Sequence, residues 1–158
     1  MKTWIVLSCI VSLAVVGLMS CGRKGPSGPI KWASSFDEAF ATAKRENKPA
    51  MIYIYTDGCP HCNQVEENVL TAAPVVELSA KFVCFKLNPE EESEHGKLFN
   101  FLGSPSLIFT DANKNDLLGP ETGIFTEDGE RLYGLCPRTP DDFVKKMNTA
   151  LDAFTSKK

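Results

Sequence analysis

Apolar positions follow two rhythms along this chain. Phe36, Ala39, Phe40 and Ala43 recur at helical spacing. Ser35 and Glu38 frame them as a capping box, with Asp37 and Glu38 at the positive end, Lys44 and Arg45 at the negative end, and Pro49 as the stop. Ala50 to Thr56 (AMIYIYT) is instead a continuous apolar run rich in β-branched and aromatic residues, which predicts a buried strand. Asp57–Gly58 turns the chain, and Pro60 suits the first position of a second helix. Val65, Val69 and Ala72 mark the apolar stripe of that helix until Pro74 breaks it. Lys81 to Asn88 (KFVCFKLN) predicts a second strand. A third helix follows, with Glu90 to Glu94 as its solvated start, Leu98, Phe99, Phe101 and Leu102 as its apolar face, and Gly103 as its end.

Leu107 to Thr110 predicts a third strand directly after Pro105. Asp128–Gly129 within Ile124 to Leu135 is a hairpin signal. The tripeptide IFT occurs at Ile108–Thr110 and again at Ile124–Thr126, but one short match is no repeat. In the last helix Thr139 is the cap and Pro140 the first position; Phe143, Met147, Leu151 and Phe154 mark the buried face. The order α β α β α β β α predicts an α/β fold, a mixed sheet with helices on both faces.

The beginning of the chain has another texture. Met1–Lys2 is a short basic start, and Trp4 to Leu18 carries no charge. That is the pattern of a signal-peptide core, shorter than the ~20 apolar residues of a spanning helix. It ends in LMSC, Leu18 to Cys21, which resembles the lipobox of bacterial lipoproteins. The resemblance implies lipidation of Cys21 as the first residue of the mature chain. Gly22 to Lys31 is Gly/Pro/Ser-rich and reads as a tether. The expected division is a signal peptide over 1–20, a lipidated Cys and tether over 21–31, and one folded domain over 32–158.

Composition narrows the function. The 158 residues suffice for one core, and 43% apolar with 23% charged is ordinary for a globular protein. A net charge of −3 with no basic patch makes nucleic acid an unsuitable partner. Four cysteines follow Cys21, and outside the cytoplasm disulfides persist.

The sequence Cys59–Pro60–His61–Cys62 carries the chemistry. Haem attachment requires C-x-x-C-H, and Asn63 follows Cys62. A zinc ribbon requires a second C-x-x-C, and a chain with only two histidines offers few further ligands. A structural bridge across two residues would constrain the unfolded chain little. A redox couple has a mechanism. On a strand-to-helix turn Cys59 meets unpaired N–H groups that favour its thiolate. An ordinary thiol of pKa ~8.5 is ionised to only about 3% at pH 7, and lowering that pKa by two units takes about 2.7 kcal/mol. Cys59 is then the attacking sulfur and Cys62, one turn inside, resolves the mixed disulfide. Pro60 rigidifies the turn, and His61 between the cysteines stabilises the thiolate electrostatically.

These segments (KPAMIYIYTDGCPHC, KFVCFKLN and GSPSLIFTD) resemble the thioredoxin superfamily from Trp32 to Phe154. The arrangement W-x-x-x-F-x-x-A, K-P, strand, C-x-x-C is most similar to small secreted thioredoxin-like proteins, among them the C-terminal domain of the membrane reductase DsbD. The Pro-His dipeptide is similar to the oxidant DsbA. The resemblance implies a thioredoxin-like α/β fold with a mixed four- to five-stranded sheet flanked by helices on both faces. It implies that Pro105 is a cis-proline facing the cysteines and that Lys86 lies near the buried side of the site. It also places the strands of Cys84 and Cys136 at opposite edges, ~14 Å apart, beyond the ~7 Å a disulfide spans. Cys84 is then a buried small hydrophobe and Cys136 is free or unassigned. The chain departs from the family at Gly58, where Trp is frequent, and at Tyr53, where a buried acid serves as proton acceptor for the second cysteine. The linker between the third and fourth strands is also long.

The expected function is a thiol–disulfide oxidoreductase of the bacterial cell envelope, lipid-anchored and facing the periplasm or exterior. It needs no cofactor or metal. Its partners are protein disulfides or dithiols, with a membrane protein as electron donor if reduction is its direction. Two alternatives stay open: a non-catalytic binding lipoprotein that keeps the fold, and a metal carrier using Cys59 and Cys62.

Overall fold

A computed structural model describes residues 29–99, 101, 103–118, 124–125, 131–132 and 136–156. The expected signal core, the lipobox with Cys21, most of the tether, Leu102 and the Asp128–Gly129 turn lie outside the described residues.

Helix α1 spans Phe36–Glu46. Ser35 Oγ accepts the Glu38 N–H at 3.2 Å, which is half of the expected capping box. The Glu38 carboxylate does not return to Ser35. It accepts the N–H of Ser34 at 3.0 Å and the Ser34 hydroxyl, one residue earlier. Asn47, in the left-handed region at φ 51°, caps the other end.

Strand β1 (Ala50–Ile54) is buried throughout and forms the centre of a three-stranded sheet. On one side it pairs in parallel with β2 (Val83–Leu87), Met51 opposite Cys84 and Tyr53 opposite Lys86. On the other it pairs antiparallel with β3 (Ser106–Thr110), Met51 opposite Phe109 and Tyr53 opposite Leu107. Trp32 bridges to Cys84, and the Ala33 N–H donates to the Cys84 carbonyl at 2.8 Å. The segment before α1 thus begins to cover the outer edge of β2.

Alternation along the strands creates two cores. Ala50, Ile52, Ile54, Val83, Phe85, Leu87 and Ile108 face α1 through Phe36, Phe40 and their neighbours. Met51, Tyr53, Cys84, Leu107 and Phe109 face the opposite layer. That layer holds α2 (Pro60–Val65), a π-helical continuation over Glu66–Leu70, α3 (Ala73–Ser79) and the closing helix α5 (Pro140–Ser156).

Several expectations need correction. The second helix ends at Leu70, and Pro74 stands inside the first turn of α3, where its missing N–H costs nothing. The third helix is only the single turn α4 (Ser93–Gly96). Gly96 is a weak helix former and lies so close to Pro89 that a Cβ would meet the proline ring at 3.0 Å. Beyond it Phe99 is buried, but Leu98 is 54% exposed.

The expected four- to five-stranded sheet is divided among the described residues. β4 (Ile124–Phe125) and β5 (Arg131–Leu132) form a separate antiparallel pair around the expected turn. The outer edge of β3 is met instead by the chain's own return: Thr110 bridges Asp116, and the Leu117 N–H donates to the Phe109 carbonyl at 2.9 Å. At α5, Thr139 Oγ1 accepts the Asp142 N–H at 3.2 Å as expected. Phe143, Met147 and Ala150 are fully buried there, while Leu151 and Phe154 are half-buried.

Candidate active site

β1 ends at Ile54, and the turn through Asp57 and Gly58 delivers Cys59 to the start of α2. Gly58 sits at φ 69°, a conformation that an L side chain resists. Cys59 is the N-cap, and its sulfur accepts the backbone N–H of Cys62 at 3.2 Å. Pro60 is the first helical residue. Cys62 is 2% exposed, whereas Cys59 is half-buried. Both are free thiols.

The two sulfurs are electrostatically unlike. Cys59 titrates below an ordinary thiol, chiefly through its hydrogen bond with the Cys62 thiol. The N–H groups of Cys62 and His61 add to this, and burial opposes it. Cys62 is raised, mainly by burial and then by its hydrogen bond to Cys59. An outer sulfur disposed to ionise and an inner one disposed to stay protonated are the two halves of a thiol–disulfide exchange couple.

Across from Cys59 the Ser104–Pro105 peptide is cis, as the resemblance implied. The Ser104 carbonyl receives the Cys59 thiol at 3.8 Å. The lowering of Cys59 comes chiefly from Cys62 on the helix side, with Ser104 contributing in the same direction. Ser104 Oγ and Thr56 Oγ1 hydrogen-bond at 2.7 Å, which ties the cis-proline loop to the turn that carries Cys59.

Behind Cys62 lies Tyr53, fully buried at the position where the family's acid was expected. Its hydroxyl donates to the Cys62 carbonyl at 3.1 Å. Burial pushes its ionisation far up, so the phenol is a fixed donor and no base. Lys86 reaches the same region. Its ammonium lies 5.4, 5.7 and 5.6 Å from the ring centres of Trp32, Tyr53 and Tyr55. It also pairs with Glu66 at 2.9 Å. Glu66 is a site neighbour that sequence reading missed, although its place four residues after Cys62 was a usable signal.

The ring of His61 is exposed and lines a groove next to the sulfurs; its contribution to Cys59 comes from the backbone N–H. Cys84 is buried as expected, and desolvation pushes its thiol up to about 12. Cys136 is exposed and lines the same groove as His61 and Pro105. Among the described residues no group of three or more His, Cys, Asp or Glu is placed to hold a metal.

Comparison with known proteins agrees with this geometry. Thiol:disulfide interchange protein DsbD 1 of Pseudomonas aeruginosa is 30% identical over 93 residues, which is 53% of this chain but only 16% of that protein. Human anterior gradient protein 2 homolog is 28% identical over 132 residues, covering 81% of this chain and 70% of that one. The solved structure of a DsbH oxidoreductase superposes with a TM-score of 0.61 at 19% identity, over 79% of this chain and 86% of that one, which is a likeness of fold. The Thioredoxin-like family model matches residues 31–112. With the match spanning more than half its length, the chain belongs to the thioredoxin-like family.

Proposed function

We propose that the chain is a lipid-anchored thiol–disulfide oxidoreductase of the bacterial cell envelope that reduces protein disulfides with electrons from a membrane donor. Membership of the thioredoxin-like family together with the C-x-x-C pair supports thiol–disulfide chemistry in general. The observation that carries the reading is the Cys59 sulfur itself, half-buried at the tip of α2, hydrogen-bonded by the Cys62 N–H at 3.2 Å and facing the Ser104–Pro105 loop.

The Cys59 thiolate attacks one sulfur of a substrate disulfide. The substrate S–S bond breaks, a Cys59–substrate bond forms, and the released substrate thiolate takes up a proton. Cys62 then gives up its proton and attacks the Cys59 sulfur. The Cys59–Cys62 bond forms and the second substrate thiol leaves. Two electrons and two protons have passed to the substrate. The membrane donor restores the dithiol by the reverse exchange.

Two arguments bear on direction. Stabilising the Cys59 thiolate stabilises the reduced protein, which favours an oxidant. The resemblance of the W-x-x-x-F-x-x-A, K-P, strand, C-x-x-C arrangement to the C-terminal domain of a membrane reductase favours the reducing side, and we adopt it. A reduction potential near −270 mV is expected; one near −120 mV would mark an oxidant. The pH dependence of alkylation separates the thiols. Because Cys59 is lowered, its alkylation rate rises with pH through a midpoint below the usual ~8.5. Cys62, raised, follows only at higher pH. A Cys59 that resists alkylation at pH 6 after reduction would favour a non-catalytic binding protein.

The anchor is tested separately. Expressed in a bacterium with residues 1–20 intact, the protein is expected in the membrane fraction, and Cys21→Ser is expected to release it from lipid labelling. Lipid-independent membrane attachment of that variant would remove the lipoprotein part of the reading and leave the redox part standing.

A further inference from the structure

The groove beside Cys59 has a charge bias that the two sulfurs do not require. It has a volume of about 640 Å³ and three walls. One is the face of α2 and its π-helical continuation that carries Gln64 and Asn68. The second is the cis-proline loop with Ser104 and Ser106, and the third is Cys136–Arg138, just before α5. Val65 and Val69 supply apolar surface between them. Ser104 connects this space to the chemistry, since it lines the groove and its carbonyl contacts the Cys59 thiol.

Among the described residues no carboxylate lines the groove, although the chain has 20 acidic and 17 basic residues. Its permanent charge is the guanidinium of Arg138, which is exposed and enters no ion pair among the described residues. Asp141 and Asp142 follow in the first turn of α5 but are not part of the lining. A substrate segment lying in this groove with its sulfur at Cys59 therefore meets, among the described residues, polar side chains and the Arg138 cation.

We propose that Arg138 sets substrate preference, selecting disulfides whose reacting cysteine is flanked by Asp or Glu. The inference rests on the oxidoreductase reading and adds the charge of the substrate to it. A planar guanidinium with several donors suits a carboxylate. At an exposed site the gain is modest in affinity and is felt also in the rate of encounter.

The test uses two peptide disulfides identical except for Glu or Lys beside the cysteine. The reduced protein is mixed with each in single turnover, and the loss of protein thiols is followed. The acidic peptide is expected to react roughly three- to fivefold faster at low salt, as for an exposed ion pair, with the ratio shrinking as salt is raised. Arg138→Glu should reverse the order, and Arg138→Lys should keep it. Equal rates in the wild type, or a preference that survives in Arg138→Glu, would overturn the proposal. If the wild type oxidises with neither peptide, the oxidoreductase reading falls and this inference with it.

Discussion

Replacing Cys59 with Ser should lower turnover of a model disulfide by at least about 10³-fold, the scale on which loss of a nucleophile is felt. A serine hydroxyl does not ionise near neutral pH and cannot enter an S–S bond, whereas Cys59 is accessible and titrates below an ordinary thiol. Cys62→Ser should behave differently. The outer sulfur still attacks, but nothing displaces it, so one equivalent of mixed disulfide accumulates on Cys59. Mass spectrometry of the trapped species reads this directly. The position of the adduct is decisive, because Cys136 is also exposed and lines the adjoining groove. An adduct on Cys136, or a Cys59→Ser variant with full turnover, would show that Cys59 is not the nucleophile.

The parts of this site that were legible in the sequence are local ones. Cys59 and Cys62 announce their chemistry by spacing, Pro60 by its place at a helix start, and β1 by its unbroken apolar run. Pro105 was legible through family likeness alone, since nothing in the residues themselves distinguishes a cis peptide from a trans one. The groove was not legible. Arg138 lies more than seventy positions from His61 in the chain, and only the packing of α5 against the α2–α3 layer brings them to one cleft.

The misread elements have separate causes. The π-helical segment Glu66–Leu70 inserts an extra residue into the helix register, which periodicity averages over. The helix α4 stops at Gly96, a weak helix former set close to Pro89, ahead of the apolar residues that were expected to extend it. Tyr53 shows the opposite case. The sequence revealed a missing acid, but only the structure shows that the phenol has become a hydrogen-bond donor to the Cys62 carbonyl and that Glu66, held by Lys86, is the carboxylate that packs nearby.

The largest loss of stability is expected at Phe109, through its effect on the strand that carries the cis-proline loop. Phe109 is fully buried in β3, with ring centres of Phe82 and Phe143 at 5.3 and 5.9 Å. It therefore joins the segment before β2, the sheet and α5 in one core. Phe109→Ala should cost about 3–5 kcal/mol, from lost burial plus the cavity left behind. Against a typical total of ~5–15 kcal/mol that is a large fraction. Urea denaturation should show it as a lower midpoint at nearly constant slope. Leu98→Ala provides the contrast: at 54% exposure it should change stability by no more than about 0.5 kcal/mol. Pro105 lies four residues before Phe109, so a loosened β3 should also slow the Cys59 reaction, while the pH at which its thiolate forms should move little, because the leading contribution to it comes from Cys62 on the helix side. A Phe109→Ala protein as stable as its parent would mean that β3 is not packed between α5 and the rest of the sheet. The wall of the groove that Ser104 and Pro105 provide would then have no rigid support.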